Sequence, residues 1–246
     1  MNNDNDDKIN LLRMIGNSPQ TCRHSMRHAW KHLEKAENLL GIDNEMSVFR
    51  AITAEEEAST GLIKILRHHK YNNASKLNPK KHSHKAGIWS LFSIFGYFIE
   101  TEIEKVFEVI KIIGIETDQL KIVMKTAFTK KPDQWIEVTP PLGMSIFENG
   151  AIASFKNYQD HFATEKHKKS ILAFIDDEAN LRNKLLYSSP EGMPNVEENP
   201  ILFVKERLKR VKTISYIYLL IAQHKEKQLF VQQALDIYVD LLEIKK

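Results

Sequence analysis

The chain has 246 residues and a mass of 28.5 kDa, and its residues are 42% hydrophobic and 27% charged, a composition typical of a globular protein that buries a core. Its 35 Lys and Arg residues against 32 Asp and Glu residues give a net charge of +3, which allows an anionic partner without requiring one. The single cysteine, Cys22, excludes an internal disulfide and is typical of a reducing compartment.

The N-terminal residues MNNDNDDKIN are acidic and polar, whereas a secretory signal is basic and then apolar. We therefore expect residues 1–20 to form a flexible segment. The most hydrophobic stretch, residues 86–100, is shorter than the roughly 20 apolar residues that cross a bilayer. The sequence accordingly predicts a cytoplasmic protein without membrane contact.

Low counts of Gly and Pro, 9 and 8, and long runs of helical periodicity predict a mainly α fold. A first long helix is expected over residues 21–40. A second begins at a cap formed by Asp43 or Asn44 and continues to about residue 69. After a Lys- and Asn-rich connection, a third helix is predicted over residues 88–113. Antiparallel helices joined by short loops indicate a helical bundle.

The pattern changes over residues 134–156, where two short apolar runs flank Asn149-Gly150, a strong hairpin signal. We expect a small β-hairpin inserted into a single helical domain that covers residues 21–246. Helices are predicted to resume over residues 158–187, 201–223 and 228–243, so that the helical core comprises about residues 21–115 and 158–246. The last helix is apolar on more than one stripe, which indicates either a dimer interface or a helix that completes its own bundle.

Two carboxylates lie where the second helix should bury its apolar side chains. Steps of three and four residues along this face give Phe49, Ile52, Glu56, Ser59 and Ile63. Glu56 therefore falls inside the apolar face, and Glu55 lies at its edge. Since a buried, unpaired carboxylate costs roughly several kcal/mol or takes up a proton, both acids need cationic partners from other segments.

The motif HSHK, residues 82–85, precedes the third helix and supplies candidate partners. Pairing of Glu56 with Lys85 or His84 would satisfy the buried acid as a structural ion pair. A metal site built from His82, His84 and Glu55 is the alternative, although His-x-His alone lacks the further ligands that fix a geometry.

Arg182 and Asn183, in the motif NLRNKLLYSS, form another candidate group. A guanidinium can bind phosphate or carboxylate through two hydrogen bonds, and the asparagine adds an amide. Arg182 could pair with Glu178 one turn earlier or with Glu56 in the core of a bundle. Only the geometry of the folded chain distinguishes these alternatives.

The first long helix repeats an Arg-to-His spacing of five residues, from Arg23 to His28 and from Arg27 to His32. In RNA cleavage, an arginine can hold the phosphate while a histidine moves the 2′-hydroxyl proton. Because these residues lie on the polar face of the helix, an ordinary solvated surface is the other interpretation.

The segments HAWKHLEKAENLL, MSVFRAITAEEEASTGLIKIL and HSHK resemble the AbiV branch of the HEPN superfamily, which carries an Ala-x-x-Glu-Glu helix followed by a His-Lys element. The resemblance covers about residues 21–90 and, more thinly, residues 175–190. The usual HEPN motif is Arg, a polar residue, three or four further residues and His. The stretch RNKLLY matches at Arg182 and Asn183 but has Tyr187 where the histidine would stand.

The resemblance implies a helical, commonly dimeric protein of bacterial antiphage defence, acting as an RNase that needs no metal and no cofactor. It implies RNA and a phage or toxin–antitoxin protein as partners. On this hypothesis the catalytic residues are Arg182, Asn183, Tyr187, His84, Glu55 and Glu56, and the RNA-binding residues are Lys85 and Arg27. The arginine holds the scissile phosphate, the asparagine orients it, His84 or Tyr187 transfers protons, and the glutamates hold the basic groups.

Two other functions remain open at the level of sequence. The first is a noncatalytic helical dimer that binds a protein or RNA, in which the same polar residues form a buried ion-pair network. Tyr187 in place of histidine favours this function. The second is a metal-dependent hydrolase that uses the group formed by His82, His84 and Glu55.

Overall fold

The computed structural model describes residues 2–89, 91–92, 107–114, 119–126, 134–143, 147–148, 151–152, 165–186 and 199–243. The fold is mainly α, as predicted. The helices are α1 (Asn2–Gly16), α2 (Gln20–Leu39), α3 (Asn44–His68), α4 (His82–Ala86), α5 (Glu165–Leu186), α6 (Pro200–Ala222) and α7 (Leu229–Glu243). The strands are β1 (Phe107–Gly114), β2 (Leu120–Thr126), β3 (Ile136–Val138), β4 (Phe147–Glu148) and β5 (Ala151–Ile152).

Helix α3 lies at the centre of the bundle and packs against both α2 and α6. Fifteen of its 25 residues are buried, so it has more than one apolar side. As predicted, Asp43 caps its N-terminus, because the carboxylate accepts a hydrogen bond of 2.9 Å from the backbone N–H of Met46. Gly61 allows α2 to approach closely, since a Cβ atom there would lie 2.9 Å from the Cγ of Met26.

Where the sequence led us to expect a flexible N-terminal segment, the structure contains helix α1. Its Leu11, Met14 and Ile15 are buried in the main core, at spacings of three and four residues. The surrounding polar and acidic residues conceal this short apolar stripe in the sequence. A single helical turn of apolar residues is sufficient to attach the segment to the bundle.

The third predicted helix, over residues 88–113, is wrong from residue 107 onward, where strand β1 begins. Residues 88–89 and 91–92 are helical, and residues 93–106 lie outside the described residues. β1 is rich in Val and Ile, whose branched side chains favour strands over helices. It forms an antiparallel sheet with β2 and β3, in the order β1-β2-β3.

The predicted hairpin is confirmed: β4 and β5 pair in antiparallel fashion on either side of positions 149 and 150, which themselves lie outside the described residues. The larger sheet was not expected. It joins the helical core through β2, which buries Leu120, Ile122 and Met124. The backbone N–H of Leu120 also donates to the side-chain carbonyl of Gln223, at 2.9 Å.

Helix α7 completes its own bundle. Its buried residues are Phe230, Val231, Ala234, Leu235, Ile237, Tyr238, Val239, Leu241 and Leu242. The Tyr238 hydroxyl donates to the backbone carbonyl of His84 at 2.9 Å and thereby connects α7 to α4. The apolar side chains of this helix are thus buried against other parts of the same chain. Homodimerisation stays a prediction, and it requires a different surface.

Large exposed hydrophobic side chains are few in the described part of the chain. They are Ile9, Ile42, Ile136, Ile201 and Leu202. Within the same part of the chain, no helix has both the length and the hydropathy of a membrane span.

Two histidines at the ends of neighbouring helices are expected to make stability depend on pH. Burial lowers the pKa values of His69 and His224 from the ordinary value of 6.5. The unfolded chain therefore binds more protons than the folded chain just below that value, so the free energy of unfolding should fall as the pH drops from about 7.5 to about 5.5. Urea unfolding at both pH values measures this change. The double variant His69→Gln/His224→Gln should show a smaller fall; an equal fall would contradict the prediction.

Candidate functional site

Glu55 is 5% exposed and belongs to a buried arginine–glutamate cluster, formed by Glu55, Glu178, Arg207 and Arg210. The Arg207 guanidinium donates to Glu55 and binds Glu178 through two hydrogen bonds, of 2.7 and 3.0 Å. The Nη1 atom of Arg210 lies 3.5 Å from Glu55 and 3.4 Å from Glu178. The cluster thus connects α3, α5 and α6.

Charge balance explains why this cluster can be buried. Burial disfavours the charged form of Arg207, but the carboxylates of Glu55 and Glu178 outweigh it and hold the pKa of Arg207 above its ordinary value. Arg210 also pairs with the exposed Glu206 at 2.5 Å, so the two guanidinium groups face two carboxylates in the interior and a third at the surface. Aromatic rings cover the guanidinium planes: Phe203 lies 4.5 Å from Arg207, and Trp89 lies 5.0 Å from Arg210.

Glu56 is bound by a second set of cationic residues, which lie on α4. The Lys85 ammonium donates to its Oε2 at 2.8 Å, and the Nδ1 atom of His82 lies 2.5 Å from its Oε1. His82 and Lys85 are three residues apart, so they lie on one face of α4, towards α3. We call these three residues the Glu56–His82–Lys85 group. The predicted ion pair between Glu56 and Lys85 is confirmed.

The hydrogen bond to Glu56 favours one tautomer of the His82 ring. Because a carboxylate can only accept, Nδ1 donates to it, and in the neutral form of the ring Nε2 is then the atom free to take up a proton. The His82 side chain is 38% exposed, whereas that of Glu56 is 11% exposed. A buried acid therefore orients a solvent-accessible imidazole, which is the arrangement of a general base held by a carboxylate.

His84, the histidine predicted to transfer protons, makes structural hydrogen bonds. Its Nδ1 atom accepts a hydrogen bond of 2.9 Å from the backbone N–H of Asn78, and its carbonyl accepts from Tyr238. These contacts hold the loop before α4 and attach α4 to α7. The imidazole that contacts Glu56 is that of His82, which we had considered only as a metal ligand.

The alternative metal site is not formed. Glu55 binds the two arginines, His82 binds Glu56, and the Nδ1 of His84 faces a backbone N–H. Within the described ranges, no three His, Cys, Asp or Glu side chains are grouped so that they could hold a metal ion. The histidines were close in sequence, but their hydrogen bonds point to different partners.

The structure places Arg182 and Asn183 on α5, one turn after Glu178. Their side chains, and Tyr187 altogether, lie outside the described residues. Glu178, which we had considered as a partner of Arg182, binds Arg207 and Arg210. Through these arginines, Glu178 connects α5 to Glu55 on α3, and the predicted pairing of Arg182 stays a prediction.

The predicted RNA-binding residues lie in different environments. Lys85 is buried, with 8% of its surface exposed, and its ammonium is held by Glu56, so it is an internal partner of the acid. Arg27 is exposed on α2, as are His24 and His28. Arg23, in the same motif, donates to the backbone carbonyl of Gly16 at 2.8 Å. The solvated interpretation of this helix face therefore fits Arg27 and His28.

Arg207 and Arg210 are not among the predicted site residues, although the sequence contains a signal for them. Steps of three and four residues along α6 give Phe203, Arg207, Arg210 and Ile214, all of which are buried. Two arginines thus lie inside an apolar stripe, as Glu56 does on α3. The same test for charged residues on an apolar face, applied to α6, would have identified both.

Comparison of the chain with protein-family models, with curated proteins and with solved structures gave no match. The function must therefore be inferred from the residues themselves. The chain provides two charged groups on adjacent residues of α3: an arginine–glutamate cluster around the buried Glu55, and a partly exposed acid–histidine–lysine group around Glu56.

Proposed function

We propose that the protein is an AbiV-like HEPN protein of bacterial antiphage defence and that it cleaves RNA without a metal ion. The observation that supports this most strongly is the Glu56–His82–Lys85 group, in which a buried carboxylate orients an accessible imidazole. These residues belong to two of the three segments that carry the resemblance to AbiV. RNA hydrolysis at neutral pH needs a group that can take up and return a proton, and a histidine has the appropriate ordinary pKa.

In the proposed reaction, Nε2 of His82 removes the proton from a 2′-hydroxyl group. The 2′-oxygen attacks the adjacent phosphorus atom, and the bond from phosphorus to the 5′-oxygen breaks. The products are a 2′,3′-cyclic phosphate and a 5′-hydroxyl group, which takes its proton from a general acid. As the resemblance implies, Arg182 holds the phosphate and stabilises its developing charge, and Asn183 orients it.

The buried arginine–glutamate cluster supports this proposal because it holds α5, which carries Arg182 and Asn183, against α3, one of the two helices that carry the acid–base group. Glu178 lies one turn before Arg182 on α5, and the two buried arginines connect it to Glu55 on α3. Glu55 directly precedes Glu56, the acid that holds His82. The helix that carries the arginine–asparagine motif is thus attached to the helix that carries the acid–base group.

A test in cells compares the wild type with Arg182→Ala, with and without phage. We expect the wild type to arrest growth and to degrade total RNA during infection, and the variant to leave RNA intact. Arg13→Ala, which changes an exposed arginine of α1, is the matched control and should behave as the wild type. If the wild type protects cells while total RNA remains intact under every condition, the nuclease function is refuted.

A noncatalytic binding module is the second candidate, and the substitution of Tyr187 for the usual HEPN histidine favours it. In this function, the charged groups on α3 stabilise a bundle whose surface binds a protein from a phage or from a toxin–antitoxin pair. Either function is compatible with the predicted homodimer. Protection without RNA degradation in the cell assay would support this second candidate.

A further inference from the structure

A long stretch of the chain contains no acid. Between Glu57 and Glu100 there is no Asp or Glu, whereas seven of the 35 Lys and Arg residues and four of the 10 His residues lie there. Since all 32 acids lie elsewhere, the rest of the chain has a net charge of −4. The net charge of +3 therefore conceals a strongly basic segment, which includes the end of α3, the following loop and α4.

The fold brings this segment together on one side of α3. The Arg67 side chain donates to the backbone carbonyls of Ala74, Ser75 and Leu77, which folds the loop back onto the end of the helix. His82 then returns the chain to Glu56. From Arg67 to Glu56 is a distance of about 16 Å along the helix, at 1.5 Å for each of eleven residues.

Several cations of this segment are exposed. We define the basic surface as His68, Lys70, Lys76, Lys80 and Lys81, all of which are exposed. Lys76 is paired with Glu243 at 2.9 Å, so its charge is partly offset. Lys80 and Lys81 are exposed, and among the described residues they form no ion pair. They immediately precede His82, so two available positive charges adjoin the proposed acid–base group.

We propose that the basic surface binds the phosphate backbone of single-stranded RNA and that Lys80 and Lys81 guide it to His82. This inference rests on the proposed function, because it identifies the surface along which the RNA substrate reaches His82. Neutralisation of phosphates by lysines releases counterions and provides affinity without sequence preference. A strongly charged polymer suits a group of exposed basic residues of which two, Lys80 and Lys81, directly precede the proton-transferring His82 in the chain.

The surface lacks the features of a membrane-binding site. A peripheral membrane site combines basic residues with exposed apolar side chains that enter the lipid. None of the large exposed hydrophobic residues of the described chain lies between residues 58 and 92. Among the described residues the charge is therefore presented without an apolar anchor, and this favours a nucleic acid over an anionic lipid surface.

Fluorescence anisotropy with a labelled, mixed-sequence RNA tests the proposal. Its riboses are 2′-O-methylated, so it can bind but cannot be cleaved. We expect Lys80→Ala/Lys81→Ala to weaken binding roughly tenfold and to reduce the slope of log K against log salt by about 1.4, or 0.7 for each lost contact. The control Lys31→Ala/Lys35→Ala removes two exposed lysines of α2 and should change affinity less than about twofold. Circular dichroism verifies that both variants are folded.

RNA binding and RNA cleavage can be tested separately. His82→Ala should retain RNA affinity, because it removes the proton-transferring group and leaves both lysines in place. Absence of RNA binding by the wild type, equal losses in the two lysine variants, or binding to phosphatidylserine vesicles instead of RNA would each overturn the basic surface as an RNA site. Retained binding without any cleavage of unmodified RNA would refute the nuclease function and leave the RNA site standing.

Discussion

Replacement of Arg207 by methionine is expected to lower the free energy of unfolding by about 3–5 kcal/mol. The variant leaves the buried Glu55 and the partly buried Glu178 with Arg210 alone, at 3.5 and 3.4 Å, and Arg210 also binds Glu206. An uncompensated carboxylate then either remains charged in the core or takes up a proton, and both cost stability. Urea unfolding followed by circular dichroism measures the change.

Two further variants separate charge from packing. Lys209→Met changes an exposed cation on the same helix and should alter stability by less than about 0.5 kcal/mol. Glu55→Leu/Arg207→Met removes the buried carboxylate together with its guanidinium and leaves Arg210 with Glu178 and the exposed Glu206, so much of the lost stability should return. If Arg207→Met and Lys209→Met have similar stabilities, the cluster does not contribute as proposed.

The second large effect is expected in RNA cleavage by the purified protein. His82→Ala removes the group whose Nε2 is available for proton transfer, and loss of a general base typically lowers the rate by about 10² to 10⁴. Cleavage of an RNA with a fluorophore and a quencher at its ends measures the rate. Added imidazole should restore part of the activity, because it can occupy the space of the missing ring.

The matched control is His24→Ala, which removes an exposed histidine of α2. Its rate should equal that of the wild type. A contaminating nuclease would be equally active in all three preparations. An unchanged rate in the His82→Ala preparation would therefore exclude His82 from the reaction and return attention to Tyr187 and His84.

The charged residues of α3 show how far sequence reasoning reaches. The position of Glu55 and Glu56 on an apolar face follows from helical periodicity alone, and so does their need for cationic partners. Lys85 could be predicted as a partner of Glu56 because it lies only 29 residues away in the sequence, after the loop that follows α3. The arginines are more than 150 residues away, and no local pattern specifies which distant helix packs on α3.

The errors in the predicted fold have a similar origin. The predicted helix over residues 88–113 continued a helical pattern into Phe107–Gly114, where branched residues and pairing with β2 favour a strand. A strand's partner is a tertiary property, so periodicity in one segment does not reveal it. Helix α1 was missed because Leu11, Met14 and Ile15 are a small apolar set within a polar segment.

Glu55 and Glu56 are consecutive, so their side chains leave the helix about 100° apart and reach cations on different neighbouring helices. A rotation of α3 about its axis, or a slide by one residue, would break both sets of contacts at once. The orientation of this helix is therefore locked, and any conformational change that admits or releases a ligand must occur in the elements that surround it.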